Sequence, residues 1–156
     1  MNMAHFHLVS VHLPIVVMPL FALLLLASIR LRKPDLSKSA LIGIVLVALC
    51  TIPIYLSGEE AEEVVEHISS VSENQIEEHE ESATIALILV SLSGLIGLVS
   101  LLATRFAFSW ARYAIICALL ITTVSSGALI WTANEGGKIR HTEILKTKKL
   151  SIEKAG

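Results

Sequence analysis

Four long apolar stretches without a charged side chain constrain this chain more than any other feature. They cover residues 8–29, 39–56, 83–103 and 113–132. A transmembrane helix needs about 20 consecutive apolar residues, and the alternating pattern of a transmembrane β-barrel is absent. Because isolated helices satisfy their own backbone hydrogen bonds in lipid, the sequence predicts an all-α fold. We expect an integral membrane four-helix up-down bundle in a lipid bilayer, with residues 1–141 as one domain and 142–156 as a basic C-terminal tail.

Basic residues are distributed unequally between the connections. The middle loop, residues 57–82, has no Lys or Arg, whereas the other two connections are short and basic. Cytoplasmic loops are enriched in Lys and Arg, and the first helix usually dominates the orientation. The basic C-terminal tail favours the opposite orientation. We give more weight to the first helix, because its two flanks differ more in their number of basic residues. The sequence therefore predicts a bacterial inner (cytoplasmic) membrane protein with both termini and the middle loop outside. The basic residues of the two inner connections are Arg30, Arg32, Lys33, Lys38, Arg105 and Arg112.

The middle loop is acidic and has helical patterning. It contains ten of the fourteen acids, most simply a solvated surface that attracts cations or a basic partner. Ser57 and Glu60 have capping-box spacing, which predicts a short amphipathic helix starting there. Ser72 predicts a second helix start. That helix would continue into the third span with one face formed by Ile76, His79 and Ala83.

Small residues suggest two further local features. Ser93 and Gly97 have the small-xxx-small spacing that lets membrane helices approach closely. Gly136 and Gly137 predict the end of the fourth helix. No long repeat is visible in the sequence.

All six histidines fall on the side that carries the termini and the middle loop. Imidazole is a common metal ligand and the usual axial ligand of haem. Their one-sided placement predicts a haem or metal site near one membrane surface. His5, His7 and His12 precede or enter the first span, His67 and His79 lie between the second and third, and His141 follows the fourth.

The position of each histidine decides its rank as a candidate ligand. His12 lies inside the apolar run, where an ionisable group is costly and usually functional, although it could also be hydrogen-bonded to a neighbouring helix. His79 is its best partner, at the head of the third span. His7 and His141 complete the predicted set. His5 and His67 are weaker candidates, and Glu59, Glu63 and Glu135 could join a metal ion as carboxylate ligands.

The opening residues resemble a known family. His7-Leu8-Val9-Ser10-Val11-His12-Leu13-Pro14 is similar to the His-Pro-x-x-x-His-Phe-Pro opening of a bacterial four-helix membrane family catalogued as a domain of unknown function (number twenty-two thirty-one). Ser57-Gly58 with Ala61 looks like its Gly-x-x-Ala stretch, His79 like its third-helix histidine, and Gly136-Gly137 with His141 like its closing element. The chain departs from the pattern at Leu8 and Leu13. The resemblance implies His7, His12, His79 and His141 as site residues and, through the redox modules fused to some members, redox work.

Three functions fit these observations. In the first, axial pairs, for example His12 with His79 and His7 with His141, hold one or two haem b groups near the outer surface for electron transfer. In the second, the histidines hold a zinc, copper or iron ion. In the third, the chain is a small structural subunit of a larger membrane complex. The sequence has no phosphate-binding loop, Cys-x-x-Cys pair or nucleophile elbow, so it assigns no enzyme activity and no nucleic-acid partner, although a redox partner is expected.

Overall fold

The structure, a computed structural model, describes residues 3–66 and 73–140, which form five helices without a strand in that part of the chain. The helices are α1 (Met3–Ser10), α2 (His12–Leu31), α3 (Pro34–Glu66), α4 (Glu73–Arg105) and α5 (Ala111–Arg140). The Val11 N–H donates to the His7 carbonyl oxygen at 3.0 Å, so α1 and α2 form one nearly continuous span. Together with α3, α4 and α5, this gives four helices long and apolar enough to cross a membrane. The predicted all-α four-helix membrane bundle is confirmed.

The helices are arranged as a square. Helix α2 packs against α3 and α5, and α4 packs against the same two helices. The first and third spans therefore lie at opposite corners of the described bundle. One end, here called the histidine end, carries His7, Ser57, His79 and Glu135. The other, the basic end, carries the two short turns with Arg30, Lys33, Arg105 and Arg112.

Both turns at the basic end have the same construction. Arg32 and Ala107 each have a φ of 54°, the left-handed conformation that ends many helices. After Arg32, the Lys33 N–H donates to the Ser28 carbonyl oxygen at 3.0 Å. After Ala107, the Phe108 N–H donates to the Ala103 carbonyl oxygen at 3.0 Å. These bonds fold α2 back on α3 and α4 back on α5.

Small residues bring the helices of the core together. Ser93 is buried and hydrogen-bonded to Ser125 of α5 at 2.8 Å. A Cβ built on Gly97 would be 3.6 Å from the Leu41 carbonyl oxygen of α3. The small-xxx-small pair of α4 thus faces two different neighbours. Long apolar side chains such as Leu95 point outward, as expected of a surface in contact with lipid.

Two expected helix boundaries are wrong. Helix α3 continues through Ser57 to Glu66, and the Ser57 hydroxyl donates to the Ile54 carbonyl oxygen of its own helix at 2.6 Å instead of capping a new helix. Helix α5 continues through Gly136 to Arg140, because contacts with α4 hold this segment in helical form. The expected second start is close to the observed one, since α4 begins at Glu73.

Candidate functional site at the histidine end

His7 is held against the end of the second span. Its Nδ1 atom lies 2.9 Å from the Ile54 carbonyl oxygen and 3.1 Å from the Ser57 hydroxyl oxygen. A carbonyl oxygen can only accept, so Nδ1 carries the ring proton. The Ser57 hydroxyl already donates to Ile54, so its oxygen can accept from the same N–H. Such a bond leaves Nε2 of the neutral ring with its lone pair available.

His79 is held in the same way against the end of the fourth span. Its Nδ1 atom lies 3.2 Å from the Thr132 carbonyl oxygen, and the ring is partly buried. The Ser82 hydroxyl donates to the His79 carbonyl oxygen at 2.8 Å. The expectation that His79 shares an inward face of α4 with Ile76 and Ala83 agrees with the partial burial of all three residues.

His7 and His79 both lie at the histidine end of the bundle. They come from the first and third spans, at opposite corners. No hydrogen bond from either Nε2 is found within 3–66 and 73–140. The structure therefore places two of the four predicted ligands at the same end of the bundle, and Nε2 of each ring has no hydrogen bond to another described group.

Glu135 adds a buried carboxylate beside this pair. It is 7% exposed, and it interacts electrostatically with His79. Its Oε2 accepts a hydrogen bond from Lys138 Nζ at 2.5 Å, which also forms an ion pair. Burial of a charged carboxylate is costly unless such partners compensate it. The sequence included Glu135 among the weaker candidates, and the structure places it one residue before Gly136, on which the His79 ring packs.

His12 lies on a different face of the first span from His7. It is exposed, as are His5, Val9 and Val16, which share its side of the first span. Its depth in the apolar run suggested a ligand, but depth does not determine which way a helical side chain points. His12 therefore lies apart from the inward-facing His7 on the outer surface of the described bundle.

The remaining candidates are Glu59, Glu63, His67 and His141. Glu59 is exposed. His67, His141 and the side chain of Glu63 lie outside the described residues, so their predicted roles stay predictions. Within the described ranges, no three His, Cys, Asp or Glu side chains come together closely enough to hold a metal ion.

The sequence did not indicate the groups that position the two histidines. These are the carbonyl oxygens of Ile54 and Thr132 and the backbones of Gly58 and Gly136. A Cβ built on Gly58 would lie 3.3 Å from His7 Cε1, and one built on Gly136 would lie 3.1 Å from His79 Cε1. The only sequence trace is the spacing, because each glycine follows its carbonyl residue by one helical turn.

Comparison with protein-family models, curated proteins and solved structures finds no match to this chain.

Proposed function

We propose that this protein binds haem b between His7 and His79 at the histidine end of the bundle and uses it for electron transfer. The observation that supports this most directly is the pair of imidazoles from opposite corners, each with Nδ1 on a backbone carbonyl. Metal-ligating histidines commonly donate their second ring N–H to such a group, which fixes the tautomer and the ring orientation.

Haem fits the number of donors that the described residues bring together. A porphyrin supplies four nitrogen ligands of its own, so two imidazoles complete the coordination. A bare zinc ion in a structural site usually takes four protein ligands. Glycine at positions 58 and 136 leaves each ring free of a neighbouring Cβ. When bound through two imidazoles, the haem supplies one-electron transfer with no open position on iron.

The charges around the site support a redox role. The buried carboxylate of Glu135 stabilises positive charge near His79. The rim of the histidine end carries exposed acids, which would attract a cationic redox partner. These rim residues are Glu59, Glu60, Glu73, Glu77, Glu78, Glu80 and Glu81.

A zinc, copper or iron ion is the second candidate, with His7 and His79 as predicted ligands and Glu135 as a carboxylate at the same end of the bundle. These three side chains do not by themselves form a metal site in the described part of the chain. Such a site needs a further donor, and His141 is the predicted one.

One experiment separates these functions. The full chain is purified in mild detergent, its absorbance spectrum and metal content are measured, and haemin is titrated into any colourless fraction. We expect about one haem per chain, with a Soret band and sharp reduced bands typical of two axial imidazoles. A colourless protein that rejects haemin and contains stoichiometric zinc, copper or iron would establish the ion site instead. A protein with neither would contradict both proposals and favour a structural subunit.

A further inference from the structure

His7 and His79 have the same two kinds of contact, a hydrogen bond to a backbone carbonyl oxygen and packing on a glycine. His7 donates through Nδ1 to Ile54 and packs on Gly58, and His79 donates through Nδ1 to Thr132. In each case the ring also packs on the glycine one turn after the carbonyl residue, which is Gly136 for His79. The two arrangements lie at the heads of the first and third spans and at the ends of the second and fourth.

The two halves of the chain are also similar at the basic end, where each helical hairpin turns. The first hairpin, α1 to α3, turns at Arg32, and the second, α4 to α5, turns at Ala107. Both residues have the same left-handed φ, and both turns close with an N–H donated to the carbonyl oxygen five residues earlier. Each hairpin therefore has a histidine at its head, a left-handed turn, and a carbonyl–glycine pair at its end.

We infer that the two hairpins are equivalent halves of one binding site, and that Gly58 and Gly136 are its positioning residues. Each half presents one Nε2 donor, so the ligand occupies the space between two matched donors. This inference rests on the proposed function for the identity of the ligand. The tautomer and position of each ring, however, are properties of the protein without ligand and can be tested separately.

Glycine is required because each ring lies directly on the helix backbone. A Cβ at position 136 would lie 3.1 Å from His79 Cε1, closer than ordinary van der Waals contact, and 3.4 Å from Nδ1. The ring would have to move by a few tenths of an ångström, and its bond to Thr132, already 3.2 Å long, would weaken. Gly137 provides a matched control, because a Cβ there meets nothing within 4 Å.

The first test is ¹⁵N NMR of the histidine rings in the full chain, purified without haem or metal. We expect the Nδ1–H tautomer for both His7 and His79, with assignments made by single His→Gln variants. Gly136→Ala should alter the His79 signals, whereas Gly137→Ala should leave them unchanged. An Nε2–H tautomer at either ring in the unaltered protein, or equal effects of the two alanines, would overturn the inference.

The second test is haemin binding by the same glycine variants. Loss of an outer group that orients a metal-ligating histidine costs roughly 10- to 100-fold in affinity. We expect Gly58→Ala and Gly136→Ala each to weaken binding by at least about tenfold, and Gly137→Ala to bind as the unaltered chain does. Equal affinity in all three variants would overturn the positioning role. The expected tautomers in a chain that rejects haemin would contradict the proposed function and leave the equivalence of the two hairpins supported.

Discussion

His79 and Thr132 join the third and fourth spans through a side-chain bond to the main chain, with Nδ1 lying 3.2 Å from the carbonyl oxygen. The bond fixes which nitrogen of the ring carries the proton. It also sets the ring on Gly136, beside the buried carboxylate of Glu135. His7 has the matching bond to Ile54 at the opposite corner. The positions of the two imidazoles in the candidate site thus depend on main-chain groups.

Glu135 should lower the midpoint potential of a haem bound beside it. A nearby negative charge stabilises the oxidised, more positive state. We therefore expect Glu135→Gln to raise the midpoint potential measured by spectroelectrochemical titration of the haem-loaded protein. Glu77→Gln is the control, because Glu77 is exposed on α4. An unchanged or lower potential in Glu135→Gln would show that this carboxylate does not act on the bound centre.

Gly94 should be essential for the close approach of α4 to α3. A Cβ built on Gly94 would lie 2.5 Å from the Ala48 Cβ, and neither atom can rotate away. We expect Gly94→Ala to destabilise the bundle by about 1–3 kcal/mol, as overpacking commonly does. Denaturant unfolding in detergent, followed by circular dichroism, measures this. Gly127→Ala is matched to it, because a Cβ at Gly127 meets nothing within 4 Å. In the control, the free energy of unfolding should rise by up to about 1 kcal/mol, because alanine has the higher helix propensity. Equal destabilisation in both variants would contradict the close packing of α4 on α3 at Gly94.

Ala107 should gain from replacement by glycine. Its φ of 54° places an L-residue in the left-handed region, at a cost of about 1 kcal/mol. We expect Ala107→Gly to stabilise the protein by about 0.5–1 kcal/mol in the same unfolding assay. Ala114→Gly, within α5, is the control and should lose about 1 kcal/mol. Destabilisation by Ala107→Gly would contradict the left-handed turn between α4 and α5.

The spans could be predicted from the sequence because they depend on composition alone. Lipid requires about 20 apolar residues per helix, and all four predicted stretches fall within the observed helices. The positions of helix ends depend also on contacts with neighbouring helices. Ser57 has the spacing of a cap, yet it lies buried inside α3, where His7 of α1 contacts its hydroxyl oxygen at 3.1 Å. Gly136 resembles a helix terminator, yet His79 packs on it inside α5. In both places, contacts between helices outweigh the local signal.

The site could be predicted only in part. The inward orientation of His79 agrees with the prediction, because its neighbours Ile76 and Ala83 define an inward face, while its role as a ligand stays a prediction. His12 was ranked first from its depth, but it lies on an exposed face of the first span. Ile54 and Thr132 act through carbonyl oxygens, which every residue has, so side-chain identity could not reveal their role.

Haemin titration of four chains tests the central claim most directly. The protein, His7→Ala, His79→Ala and His12→Ala are each purified in detergent without cofactor, and the spectrum is recorded during titration. The two inward histidines should be required, so His7→Ala and His79→Ala should lose the spectrum of iron with two axial imidazoles. His12→Ala should bind as the unaltered chain does, because His12 lies on the outer surface. Retained haemin binding in His79→Ala together with loss of binding in His12→Ala would contradict the proposal that haem binds between His7 and His79.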